Sequence, residues 1–282
     1  MAKAKPNLLL CFDAFGTLFK PKHTVALQYA EVARQCGFTG FTDGELQSTL
    51  KTAIKDESKK NPNYGKATGL GATKWWTNLL HRFASKEGYD VEPGLVSTLR
   101  ALKQPSSERR FDKIVVGVVT NSDDRVPSIL SSFGLNVSPL RYGGKQQIDD
   151  AGVLARPDYD IDFHCMSYDV GVEKPDRRIF ESAEHMLAQI VAARDDGKSM
   201  AEAGADVEGW QKVYVGDEHA KDVVGAMNAG WDPVLLDVDG DSDAASKLTE
   251  SHGQTLADSF KERPVLTVSS IRELIMWLTG KV

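Results

Sequence analysis

Asn7 to Thr17 reads NLLLCFDAFGT, and the break at Asp13 decides the fold. The first run, Asn7 to Phe12, is apolar after its asparagine and does not alternate, the pattern of a strand covered on both faces, as in a parallel sheet. A carboxylate, a glycine and a hydroxyl then follow at once, so polar chemistry begins where that strand ends. Five more short apolar runs repeat the arrangement: Ile114–Val119 (IVVGVV, then TNSDD), Phe163–Met166, Lys212–Val215 (KVYV, then GDEHAKD), Val234–Leu236 and Val265–Val268. Helical patterns lie between them. Arg125–Phe133 stops at Gly134 and Lys221–Ala229 at Gly230, glycine being the usual left-handed helix terminator. Pro175 opens a helix to about Ala193, and Ser269 or Ser270 caps a last one to about Leu278. Strands alternating with helices predict an α/β, Rossmann-like doubly wound parallel sheet of five or six strands.

The stretch from about residue 20 to 104 reads differently, with helical periodicity and no strand-like run. Thr42 to Glu45 forms a capping box, followed by Leu46, Leu50 and Ile54. Trp75, Trp76, Leu79, Leu80 and Phe83 make a second stripe, and Leu95, Leu99 and Leu102 a third. This predicts three or four helices inserted between the first two sheet strands, with residues 1–20 and 106–282 forming the core and 21–105 a helical unit. The Trp75–Trp76 pair is read as the interior of that unit. Asn136–Asp160, Asp195–Gly209 and Asp237–Ser246 are read as loops from their Gly, Pro, Asp and Ala content.

The 282 residues carry a net charge of -6 and no basic block, which argues against nucleic acid or an anionic membrane as partner. The apolar run before Asp13 is too short for a signal peptide or a membrane span. Cys11, Cys36 and Cys165 form no paired framework, and Cys11 and Cys165 sit in apolar runs as small core residues. The expectation is a cytoplasmic protein acting on a small molecule; oligomeric state is not legible.

Ligands of open parallel sheets bind beyond the carboxyl ends of the strands. The groups there are Asp13 to Thr17 after the first strand, Thr120, Asn121 and Ser122 after the second, Lys174 near the third, and Asp217, Glu218 and Asp222 after the fourth. A carboxylate attacking phosphorus or an activated carbon splits one hard step into two through a covalent ester. Thr120 and Lys174 supply donors to a developing anion. Lys174 also offsets the charge of Asp13, so that several carboxylates coexist, and Asp217 with Asp222 offers hard oxygen ligands suited to Mg²⁺. Glu218 and His219 are read as solvent-facing, and His23, His81, His164, His185 and His252 show no partner pattern.

CFDAFGTLF, VVTNS, GVEKPDRRIF and VGDEHAKDVVGAMNAG together resemble the four motifs of the haloacid dehalogenase-like superfamily, in the right order. The resemblance implies a helical cap at 21–105, of the superfamily's type 1. It also implies Asp13 as nucleophile, Thr120 with Asn121 and Lys174 as catalytic groups, and Mg²⁺ held by Asp13, the Phe15 carbonyl, Asp217 and Asp222. One position departs from the pattern. Phosphatases of this superfamily carry a second Asp two residues after the nucleophile, as general acid and base; here it is Phe15, which cannot shuttle a proton. An aromatic there is similar to the 2-haloacid dehalogenases, whereas GDEHAKD resembles the metal-binding phosphatases. The leading expectation is a Mg²⁺-dependent hydrolase of a small phosphorylated metabolite. The alternatives are a metal-independent dehalogenase-type hydrolase and a non-hydrolytic binding or regulatory protein.

Overall fold

The structure is a computed structural model that describes residues 5–35, 40–79, 89–106, 109–144, 156, 158–195, 198–238, 246–247 and 255–280. Cys36, Leu80, His81, Phe83 and His252, each named above, lie outside these residues, as do positions 145–155, 157, 196–197 and 239–245 of the stretches read as loops.

All six expected runs are strands. β1 (Leu8–Phe12) lies between β4 (Ile114–Thr120) and β6 (Gln211–Gly216); β5 (Phe163–Met166) flanks β4, and β7 (Asp232–Leu236) and β9 (Leu266–Val268) extend the other side. With β8 (Ser246–Lys247) at the outer edge, the sheet is seven-stranded and every pairing is parallel. The unbroken apolar character of β1 follows from its place. Leu8, Leu10 and Phe12 enter one hydrophobic core, and Leu9 and Cys11 enter a second on the opposite face. All five are fully buried, and each leucine withdrawn in this way contributes about 1.5–3 kcal/mol. Burial pushes the Cys11 and Cys165 thiols well up, so both stay neutral within the core.

Three sequence expectations require correction. The segment after β1 was expected to hold no strand, yet β2 (Phe19–Pro21) and β3 (Tyr89–Val91) pair antiparallel as a two-stranded sheet. At three residues each, they are too short to show a period. The third helical stripe, Leu95, Leu99 and Leu102, belongs to the main core with Ile271, Leu274 and Leu278. Ala26, Tyr29 and Leu50, by contrast, form a small cluster of their own between the Val25–Gln35 and Asp43–Lys60 helices. Asp195–Gly209 is not all loop: Met200–Glu208 is helical behind a capping box in which the Ser199 hydroxyl accepts from the Glu202 N–H and the Glu202 carboxylate from the Ser199 N–H.

Other helix ends fall where the chemistry placed them. Thr42 and Glu45 form the expected capping box, Ser270 caps the last helix, Ile271–Thr279, and Gly134 and Gly230 adopt positive φ. Among the described residues no helix is long and apolar enough to cross a membrane.

Candidate active site

Asp13 is the first residue past β1, with its N–H donating to the Val215 carbonyl of β6 at 2.8 Å. The register pairs Phe12 with Val118 on one side and Val215 on the other. Thr120 and Asp217 therefore stand at the carboxyl ends of the two strands flanking Asp13. Asp13 is 9% exposed, which leaves room for one approaching group and little bulk water.

Lys174 is the electrostatic centre. It is 3% exposed, and its Nζ lies 2.8 Å from Asp13 Oδ1 and 2.7 Å from Asp222 Oδ1. Burial alone would discharge the amine, but the two carboxylates outweigh that penalty and hold its pKa above the ordinary lysine range. Nζ also donates to the Tyr214 hydroxyl at 2.7 Å, and that hydroxyl donates to the Val119 carbonyl at 2.6 Å. Lys174 thus keeps one orientation. Asn121, expected as a catalytic group, grips the backbone of Lys174: its amide donates to the Lys174 carbonyl at 3.1 Å and its Oδ1 accepts the Lys174 N–H at 2.7 Å.

The two remaining acids are placed by glycines. Asp222 sits in a single wide turn of π-helix, His219–Val223, a form frequent at functional sites. Its Oδ2 accepts the Glu218 N–H at 2.9 Å, and a Cβ on Gly216 would lie 2.2 Å from that oxygen. The Asp217 carboxylate rests against Gly16 in the same way, and Thr17 Oγ1 donates to Asp217 Oδ1 at 3.3 Å. Burial, and then the charge of Asp13, raises the pKa of Asp217.

Asp13, Asp217 and Asp222 each present an oxygen within 4.8 Å of the others. Three carboxylates against the one ammonium of Lys174 leave two negative charges, the amount a divalent cation balances. Hard oxygens at this spacing suit Mg²⁺, so the donor set fits that ion. Phe15 packs edge-on to Phe19 at 4.7 Å and to Tyr89 at 5.8 Å between ring centroids. Its side chain thus belongs to an aromatic cluster at the β2–β3 sheet.

A family model for haloacid dehalogenase-like hydrolases matches residues 8–230, a span that begins at β1 and takes in all of these groups. The chain belongs to that hydrolase family. Within it, the chain is 28% identical over 247 residues to an uncharacterized hydrolase of Schizosaccharomyces pombe, covering 82% of this chain and 90% of the relative. It is 27% identical over 244 residues to the bovine haloacid dehalogenase-like hydrolase domain-containing protein 3, covering 81% of each. Among solved structures, a phosphatase of the family from Thermococcus onnurineus superimposes with a TM-score of 0.52 at 18% identity, over 97% of this chain and 99% of that one. That likeness concerns the fold.

Seen as a family member, the chain brings Asp13, Lys174, Asp217 and Asp222 into one cluster and sets Thr120, 1% exposed, at the end of the neighbouring strand. Tyr214 is a site residue that sequence reading missed, and Thr17, placed at the strand end by sequence, had no role assigned there. Tyr214 lies inside an apolar strand and reads as core; Thr17 is a lone hydroxyl after a glycine.

Proposed function

We propose that the chain is a Mg²⁺-dependent hydrolase of small phosphorylated molecules that works through a covalent ester on Asp13. The observation that carries this reading is the Lys174 ammonium fixed between Asp13 and Asp222 with Asp217 alongside. The Lys174 ammonium, 2.8 Å from Asp13 Oδ1, offsets the negative charge of the carboxylate that serves as nucleophile. One Asp13 oxygen attacks phosphorus while the bond to the leaving oxygen breaks, and that oxygen departs with the bonding pair. Water then attacks the aspartyl phosphate, releasing phosphate and regenerating the carboxylate. Thr120 and Lys174 offer donors to the phosphoryl oxygens as charge shifts. Asp13, Asp217 and the Phe15 carbonyl would hold Mg²⁺, with Asp222 completing the acidic set, and the ion when bound would neutralise charge on the phosphoryl group. The helices between β2 and β3 serve in this reading as a cap that shields the ester from water. The experiment is turnover of an aryl phosphate with and without Mg²⁺ by the wild type and by Asp13→Asn, in which the amide keeps the shape and loses the nucleophile.

Phe15 favours a second reading. A halide needs no proton to depart, so attack of Asp13 on the carbon of a 2-haloacid is compatible with an aromatic ring where a proton donor would stand. Release of halide unaffected by chelator, with no phosphatase activity, is the result that would select it.

A further inference from the structure

The loop leaving β4 grips two separate parts of the chain. Asn121 holds the backbone of Lys174 on one side. Two residues on, Asp123 is 1% exposed. Its Oδ2 accepts from the indole Nε1 of Trp76 at 2.7 Å, and its Oδ1 accepts from the Arg125 N–H at 3.2 Å and from Arg125 Nε at 2.7 Å. The Arg125 guanidinium in turn lies over the Trp76 ring, 4.4 Å from its centroid. Arg125 travels with the loop, but Trp76 belongs to the Ala72–Leu79 helix of the segment between β2 and β3. Between these two grips Ser122 offers its carbonyl to the Tyr168 N–H at 3.2 Å, in the connection that leads from β5 to Lys174.

A buried carboxylate is costly unless its oxygens are hydrogen-bonded. For Asp123 Oδ2 the donor shown comes from another part of the chain. If the Ala72–Leu79 helix lifts away, that oxygen loses the Trp76 N–H, and the loop must shift to let water reach it. Asn121 would shift with the loop and carry the Lys174 backbone with it. We propose that Asp123 is a positioning residue that couples the docking of Trp76 to the placement of the Lys174 ammonium beside Asp13, so that the site is complete only when the Ala72–Leu79 helix is seated. The kinetic consequence rests on Asp13 being the nucleophile; the mechanical coupling does not.

The test uses the full chain carrying Trp76→Phe, which keeps a ring beside Arg125 and deletes the indole donor, and separately Asp123→Asn, together with the double variant. Backbone hydrogen exchange is followed in peptides covering residues 72–79, 120–125 and 172–176. Coupling predicts that each single variant speeds exchange in all three segments, and that the double variant adds little to either, because residues sharing one contact are not additive. With Mg²⁺ and p-nitrophenyl phosphate, kcat should fall roughly 10-fold or more while KM changes little, as expected when a catalytic group is misplaced without loss of substrate contacts. Exchange confined to 72–79, with 172–176 as in the wild type in every variant that folds, overturns the proposal. So does a kcat equal to that of the wild type. A wild type inert toward the phosphate ester counts against the phosphatase reading alone, since the exchange pattern still decides the coupling.

Discussion

The carboxylate of Asp217 lies against the Cα of Gly16, so closely that a Cβ on Gly16 would come within 2.2 Å of it. Gly16 also has φ of +86°, a region that an L side chain enters only at a cost. Gly16→Ala should therefore displace Asp217 and weaken the oxygen cluster. The expected loss of Mg²⁺ affinity is roughly 10–100-fold, the range seen when the groups orienting a metal ligand are disturbed. Calorimetric titration of both proteins with Mg²⁺ reads it; equal affinities would mean that Asp217 takes no part in holding the ion.

Removing the Lys174 ammonium leaves Asp13 and Asp222 facing one another in a nearly closed site. Lys174→Met should cost about 3–5 kcal/mol in urea unfolding, the usual penalty for orphaning a buried charge. The pKa of Lys174 is raised in the folded state. Its stabilisation is thus fully present below the unfolded lysine value near ~10.4 and is lost only as pH rises through the higher folded value. The deficit of the variant should accordingly stay flat from about pH 7 to pH 9 on that account. A deficit below about 1 kcal/mol, the size of an exposed pair, would show that water already screens the cluster.

His164 is fully enclosed in β5, with Nδ1 3.3 Å from the Leu140 carbonyl, and burial depresses its pKa to about 4. The unfolded chain binds that proton near pH ~6.5. The neutral ring therefore stabilises the fold fully above that pH, and the contribution disappears as pH falls toward 4. The difference of 2.5 pH units corresponds to about 3 kcal/mol. His164→Leu should flatten the decline in stability between about pH 6.5 and pH 4, as judged by denaturant midpoints at several pH values. An unchanged slope would place the acid sensitivity elsewhere.

Phe15→Asp restores a proton carrier two residues from Asp13. Turnover of an aryl phosphate with Mg²⁺ should rise at least ~10-fold, a conservative part of the acid–base contribution. The loss of ring contacts with Phe19 and Tyr89 should lower the melting temperature at the same time. A folded, Mg²⁺-binding variant with no gain would mean that another group already moves the proton, or that the reaction needs none.

The sheet was legible because β1, β4 and β6 are buried on both faces and so carry unbroken apolar runs that end sharply at a polar group. That sharp ending also marked Asp13, Thr120 and Asp217, and the structure sets them along one edge. β2 and β3 were illegible because a three-residue strand owes its existence to its partner. Met200–Glu208 carries its own signal, since Ser199 and Glu202 have the same capping spacing as Thr42 and Glu45, but the Asp, Gly and Ala around them have the composition of a loop. Tyr214 and Asp123 were hidden for another reason. What they do depends on Lys174 and Trp76, brought to them only by the folded chain.

The central claim is that Asp13 is the nucleophile, and the most direct measurement is mass spectrometry of the acid-quenched enzyme during turnover of an aryl phosphate with Mg²⁺. A phosphoryl adduct is expected on the peptide carrying Asp13, sensitive to hydroxylamine as an acyl phosphate is, with both adduct and turnover lost in Asp13→Asn. Turnover by a clean Asp13→Asn preparation equal to that of the wild type would contradict it.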